Sequence, residues 1–526
     1  MKLYRAFATV GGLTLLSRVL GFMRDIMLAA AIGTGPIAEA FVAAFRFPNL
    51  FRRWFGEGAF NAAFVPLYAK RMEGDGRDAA RAFASEAMSG LALVLVVLSA
   101  AAMLAMPWAM YLLAPGFAQT PDKFDLAVAM SRIAFPYLLC MSLVALLSGV
   151  LNSVGRFAES ASVSIVLNLT LMAAIGIAMA LGYGNDPRTG YVLAWGILAA
   201  GVLQLAVLVI GAWWAGVLPR LVRPVWSADM RRLVALGLPG IIAGGATQIN
   251  ILIGSMIASM QEFAMPWLYY ADRLYELPLA IIGIAIGVVL LPDVSRHLRA
   301  GNHPAVMDAQ NRALELAMFF TVPAAVALAV VPGPIVSVLF ERGKFATSDT
   351  QAVAGALAIF ALGLPAFVLQ KVFQPGYFAR EDTRTPMRFT AWSLGVNTVG
   401  SIALFSLFPV LGYSPHLGIA VATTIGGWLN AILLYRGLVR RRHFEADPRL
   451  RWALPMILLS SAIMALALIA VTYQLAPRLA VGQPLLTRAG ALALLVMAGG
   501  IVYFAVAFVS GAIRPAQLSR MFRRKA

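Results

Sequence analysis

Fourteen stretches, each of about twenty or more mainly apolar residues, follow one another along the chain. About 20 such residues in a helix cross the hydrocarbon core of a bilayer. Only helices and closed barrels satisfy their backbone groups there. The stretches lie near 9–32, 36–56, 83–112, 126–150, 160–182, 190–214, 233–258, 267–291, 310–332, 350–370, 387–408, 415–435, 453–475 and 486–510. The segments between them are too short for a sizeable soluble domain. The expected fold is therefore an all-α polytopic membrane protein. Composition agrees: the 526 residues are 60% hydrophobic and only 13% charged, where soluble proteins carry about 25% charged residues. The single cysteine, Cys140, excludes an intrachain disulfide framework and a Cys-based zinc cluster. His297, His303, His416 and His443 show no metal-ligand spacing, so no metal site is expected.

The net charge of +18 would point to nucleic acid in a soluble protein. In a membrane protein, Lys and Arg in short cytoplasmic loops set orientation. With the N-terminus inside, 29 of the 42 basic residues fall in cytoplasmic segments. Six, Lys123, Arg188, Arg342, Lys344, Arg478 and Arg488, fall in outer loops. This split agrees with an even number of spans and both termini in the cytoplasm, and nucleic acid is not an expected partner. The first apolar segment carries Arg18, Arg24 and Asp25, which a cleaved signal peptide does not tolerate, so it reads as a retained span.

A short repeat runs through the chain. Residues 64–71 (FVPLYAKR) and 290–297 (LLPDVSRH) each close an apolar span with proline and a basic residue, 226 positions apart. That offset is about six spans, and an even number preserves orientation. The repeat implies two six-helix lobes related by a pseudo-twofold along the membrane normal, 1–225 and 226–440. Two further helices and a basic tail follow in 441–526.

Charged groups inside a membrane are costly, roughly 2.5–3.5 kcal/mol each at the centre on insertion scales, and they mark pathways and sites. Here they gather in three spans. The first holds Ser17, Arg18, Arg24 and Asp25; the second Glu39, Arg46, Arg52 and Arg53; the eighth Asp272, Arg273 and Glu276. Glu39, Arg46 and Arg53 step by seven and share a helical face with Asn49. Asp272 and Glu276 are one turn apart, with Arg273 between them. Gly21, Pro48 and Pro278 permit bends beside these groups. The set holds more Arg than carboxylate. A guanidinium stays charged when desolvated and fits phosphate oxygens bidentately, so a phosphorylated anion suits the site. Simpler roles stand beside that reading: Arg52 and Arg53 snorkelling to an interface, and Arg24–Asp25 as a structural ion pair. Gln248, Ser255 and Ser259 lie on one face of the seventh span, as interhelical hydrogen-bonding groups do. Asn397 and Thr398 have no carboxylate beside them to hold a cation. The last two spans are uncharged; lipid-facing packing and a groove for an isoprenoid chain both fit them.

The order of these residues is familiar. Ser17-Arg18-Val-Leu-Gly21-Phe-Met-Arg24-Asp25, then Phe47-Pro48-Asn49-Leu-Phe-Arg52-Arg53-Trp-Phe-Gly-Glu57-Gly58-Ala59-Phe60 with Phe64-Val65-Pro66, and Tyr270-Ala271-Asp272-Arg273-Leu-Tyr-Glu276-Leu-Pro278 resemble the MurJ (MviN) family of bacterial lipid II flippases. That family sits in the superfamily of MATE antiporters and polysaccharide flippases. The resemblance implies a two-lobed transporter with a cationic cavity, in which Arg18, Arg24, Arg52 and Arg273 match functional arginines that engage the lipid II diphosphate. Arg53, Asp25, Glu39, Asn49, Ser17 and Glu276 complete the expected substrate-binding set. Glu39 stands where many relatives have Asp, and Arg46 where Lys is common. Expected with it are lipid II and membrane phospholipid as partners, contact with cell-wall synthesis machinery, a monomer, and a place in the bacterial cytoplasmic (inner) membrane. No bound cofactor is expected. Transport by alternating access would draw on the membrane potential or an ion gradient, with the coupling ion open. Two rival transporters are a flippase for another polyprenyl-diphosphate-linked glycan and a MATE-type drug antiporter, which would want an acidic cavity. An enzyme is disfavoured, because no outer loop carries paired carboxylates.

Overall fold

The computed structural model describes residues 2–52 and 59–512, with side chains also defined except at 2–8, 47, 50–52, 59–62, 239–247, 284–285 and 287–289. Every regular element among the described residues is helical. In order they are α1 (Lys2–Ile32), α2 (Pro36–Arg52), α3 (Ala59–Gly74), α4 (Gly76–Leu104), α5 (Met106–Leu113), α6 (Pro121–Ala134), α7 (Tyr137–Ser153), α8 (Phe157–Ala180), α9 (Pro187–Trp214), α10 (Ala228–Ala258), α11 (Ala264–Arg299), α12 (His303–Val330), α13 (Pro332–Phe340), α14 (Thr347–Phe378), α15 (Arg384–Val410), α16 (Pro415–Arg440), α17 (Pro448–Leu479) and α18 (Leu485–Val509). A 3₁₀ turn, Pro115–Gln119, precedes α6.

Ten segments among the described residues are long and apolar enough to cross a membrane. The remaining four expected spans coincide with α1, α2, α10 and α11, three of which carry the intramembrane charges. The helices differ from the expected spans where proline intervenes. Pro107 opens α5 and splits the third span at Ala105. Pro136 precedes α7 and divides the fourth. Proline removes a backbone donor and clashes with the preceding turn. Between the second and third expected spans lies a further helix, α3, which holds the first copy of the repeat, residues 64–71.

The chain forms two compact units, 1–266 with 342–345, and 267–341 with 346–526. This division does not follow the repeat-derived boundary at 225/226. In the first unit α10 packs on α3, α4 and α5, so it groups with the helices before it. In the second, α17 packs on α12 and α18 on α17, which makes the last two helices part of its core rather than an appendage. Phe319, Leu468, Leu495 and Tyr503 are buried in one cluster there. The Tyr503 hydroxyl donates to the Phe319 carbonyl at 2.6 Å. At one end of the same helices, Arg449 donates to Glu315 at 2.7 Å, and the Asn311 amide donates to the Glu445 carbonyl at 2.8 Å.

Within the first unit, residues 342–345 close on the end of α1. The Lys344 N–H donates to the Ala30 carbonyl at 3.0 Å. Two glycines make this approach possible. Gly33 has φ +58° and an added Cβ would lie 2.4 Å from the Lys344 carbonyl oxygen. Gly343 has φ +60° and its Cβ would lie 2.3 Å from the Ala30 oxygen. Gly343→Ala should therefore destabilise by more than the strain of about 1–3 kcal/mol that a non-glycine residue stores in this conformation. Gly216→Ala is the control, since Gly216 has φ +69° with open space around it. Thermal unfolding in detergent should show the larger drop for Gly343→Ala; equal drops would show that the contact with Ala30 yields.

Candidate functional site

In the first unit the expected site residues divide into sealed and open groups. Arg24 and Asp25 are sealed. The Arg24 Nη2 donates to Asp25 Oδ1 at 2.7 Å, and both residues are buried, 7% and 2% exposed. Adjacent residues on a helix do not usually face each other. Here the long Arg24 side chain folds back, and α8 supplies the reason. Arg24 Nη1 donates to Asn168 Oδ1 at 3.0 Å. The Asn168 amide in turn donates to the Ser17 carbonyl at 2.9 Å. Gly21 leaves room for it: a Cβ there would stand 3.3 Å from the Asn168 amide nitrogen. The structural ion-pair reading of Arg24–Asp25 thus describes the geometry.

Arg18 is different. It lies one and a half turns earlier on α1 and is half-buried. Among the described residues it has no ion-pair partner. Ser17, beside it, is also half-buried and contributes its carbonyl to Asn168.

The second helix corrects two expectations. Glu39 does not line an open space with Arg46. It is fully buried, and its Oε2 accepts from Lys123 Nζ on α6 at 2.9 Å. Its Oε1 accepts the Phe263 N–H at 3.0 Å. Lys123, assigned above to an outer loop, is itself 5% exposed and sits 4.7 Å from the centre of the Phe117 ring. A charge this deep is tolerated only when paired. Arg46 donates to the Ser255 hydroxyl on α10 at 2.5 Å, which bears out the hydrogen-bonding reading of Ser255. The Asn49 amide donates to the Phe45 carbonyl one turn back. Arg52 ends α2 with its side chain outside the described set, and Arg53 lies outside the described residues.

In the second unit Arg273 donates to Glu276 at 3.1 Å, and both side chains are about one third exposed or more. The guanidinium also lies 4.8 Å from the Tyr269 ring centre. A second expected outer-loop charge is buried here. Arg488, 5% exposed, donates to the Ser337 carbonyl at 2.9 Å and its hydroxyl at 2.7 Å, tying α18 to α13. The nearby Glu341 accepts from Thr347 and Thr350. Burial raises the Glu341 carboxyl, but bonds from Ser337, Thr347 and Thr350 outweigh it and hold it below the usual carboxylate range. No group of three His, Cys, Asp or Glu residues poised for a metal occurs among the described residues.

Asn168 and Lys123 escaped sequence reasoning. Asparagine in an apolar span was a signal, since a polar side chain at membrane depth needs a partner. Asn168→Ala should cost about 1–3 kcal/mol through the bond removed from a charged, buried guanidinium. Asn168→Gln should recover part of that loss. Thermal unfolding of the two variants measures it, and an unshifted Asn168→Ala would show that Asp25 alone holds Arg24.

Long apolar helices, some carrying arginines within them, define a polytopic membrane protein, and its fold is that of known transporters. A solved structure described as lipid II flippase MurJ in an inward closed conformation superposes with a TM-score of 0.76, at 22% identity, over 95% of this chain and 97% of that one. An inward-facing MATE family multidrug transporter of the MOP superfamily gives 0.63 at 16% identity, over 81% and 94%. The sequence model of the family "Lipid II flippase MurJ" matches residues 28–490, and the chain belongs to that family. A probable lipid II flippase MurJ of Rhizobium meliloti (strain 1021) is 48% identical over 100% of this chain and 97% of its own length. The counterpart in Rhizobium tropici is 47% identical with the same coverage. The lipid II flippase MurJ of Burkholderia cenocepacia is 35% identical over 89% of each.

Proposed function

We propose that this protein flips lipid II, the undecaprenyl-diphosphate-linked disaccharide-pentapeptide, from the inner to the outer leaflet of the bacterial cytoplasmic membrane. Family membership over the whole chain supports the substrate. One structural observation carries the mechanism: Arg18 places a half-buried guanidinium in a spanning helix with no acid partner among the described residues. A cation at that depth favours an anion brought from outside the protein. A diphosphate supplies one, and a polar head group of this size cannot cross hydrocarbon unaided.

Arg273, in the second unit, is a separate candidate cation. Its Glu276 pair is partly exposed, and such pairs are worth about 0–1 kcal/mol, so a diphosphate can replace the carboxylate at little cost. Arg24, held by Asp25 and Asn168, shapes α1 rather than offering a free charge. Arg52, the last residue of α2, and Arg53, which follows it in sequence, are proposed to add positive charge. Transport proceeds by alternating access with no bond made or broken. The membrane potential assists it: each charge crossing the full field is worth about 2.3 kcal/mol per 100 mV, favouring an anion outward and an emptied cationic site inward. Both termini are proposed to face the cytoplasm.

The test is depletion of the protein in its bacterium, followed by assay of which lipid-linked precursor accumulates on the cytoplasmic face. Accumulated lipid II supports the reading. Accumulation of a different polyprenyl-diphosphate glycan, with lipid II exposed normally, would assign the same diphosphate chemistry to another cargo.

A further inference from the structure

The helix α15 leaves most of its spanning stretch uncovered. Only 11% of its most apolar window is buried. Along that face runs a groove of about 720 Å³, lined from Arg388 past Trp392 and Gly395 to Val399 and Gly400. Trp392 is 71% and Val399 68% exposed. Gly395 has open space where a Cβ would stand, so the missing side chain deepens the groove. Arg384 lies one turn before Arg388 on the same face, and both are exposed. Neither makes an ion pair among the described residues. The nearby Asp382 is already engaged by Arg441 at 2.6 Å.

The order along the face is therefore two unpaired guanidinium groups, an indole, then an apolar trough floored by glycine. We propose that this groove is a specific site for an anionic diacyl phospholipid, with its phosphate on Arg384 and Arg388 and one acyl chain along Trp392 to Gly400. Length selects this occupant. Arg388 and Gly400 are separated by roughly 18 Å at 1.5 Å per residue. One leaflet contributes about half of a 30 Å hydrocarbon core, so an acyl chain fits the trough end to end. A long polyprenyl chain overruns it. Trp392 sits at the junction of charge and hydrocarbon, where indoles settle at the head-group level. The basic pair selects an anionic head over a zwitterionic one.

The full-length detergent-solubilised protein, stripped of lipid, is to be titrated with phosphatidylglycerol, phosphatidylcholine and undecaprenyl diphosphate, and bound copies counted by native mass spectrometry. Phosphatidylglycerol should show one site tighter than any for phosphatidylcholine. Arg384→Ala with Arg388→Ala should weaken that site about tenfold or more. Gly395→Leu, which fills open space on an exposed face, should remove it while both arginines remain. Arg440→Ala with Arg442→Ala, at another basic helix end, should leave it unchanged. Equal binding of the two phospholipids, or an intact site in both groove variants, overturns the proposal. Displacement of phosphatidylglycerol by undecaprenyl diphosphate in the native protein, absent in Gly395→Leu, also overturns it and gives the groove to the polyprenyl lipid.

Discussion

Cells whose only copy of this protein carries Arg18→Ala are expected to hold normal amounts of it in the membrane and to present almost no lipid II head group at the outer surface. The two halves of this result have separate causes. Arg18 makes no ion pair among the described residues and is half-buried, so its removal strands no charge and leaves the α1–α8 contact through Asn168 in place. Substrate loses much more. Each hydrogen bond to a charged group contributes about 1.5–3 kcal/mol, and a guanidinium offers two to one phosphate. Losing both weakens capture by roughly 10²–10⁴-fold. Arg18→Lys keeps the charge without the fork and should fall between. Head-group accessibility to an external modifying enzyme reads the effect. Normal exposure in Arg18→Ala would take this residue out of the transport path.

The largest expected effect on stability belongs to Lys123→Ala. Glu39 would keep the Phe263 N–H, while its fully buried carboxylate would lose the one cation it contacts among the described residues. Breaking one side of a buried pair costs about 3–5 kcal/mol. Replacing both partners by apolar residues of similar size is often neutral or stabilising, so Glu39→Leu with Lys123→Met should recover most of the loss. Unfolding midpoints in detergent for the two single variants and the double variant close the cycle. Additive losses would show that the two residues act independently, against the 2.9 Å contact.

These two residues also show what could be read from sequence. Glu39 sits in a span whose existence hydropathy made plain, because twenty apolar residues have few other uses, while Lys123 falls just before the fourth. The face shared by Glu39, Arg46 and Asn49 was legible from a seven-residue step. What that face meets was not. Lys123 reaches Glu39 from 84 positions away, and Asn168 reaches Arg24 from 144; no local pattern encodes either meeting. Charge counting placed Lys123 and Arg488 in outer loops, because each lies at the end of an apolar stretch. Instead Lys123 neutralises a carboxylate and Arg488 satisfies the carbonyl end of α13. Prolines were visible throughout, yet whether each one kinks or breaks its helix depends on packing. Pro278 and Pro292 stay within the continuous α11, while Pro136 separates α6 from α7.

The way α17 and α18 are built into the second unit has a consequence for biogenesis. Tyr503 caps the Phe319 carbonyl from nearly the far end of the chain, and Glu315 waits for Arg449. Proteins fold from the N-terminus as they are made, so during synthesis α12 enters the bilayer with an aromatic surface whose counterpart does not yet exist and a carboxylate that has Arg312 of its own helix but not yet Arg449. The second unit cannot mature until translation is almost finished, and a nonsense codon anywhere after Arg440 should yield a product that quality-control proteases recognise although it keeps Arg18 and Arg273.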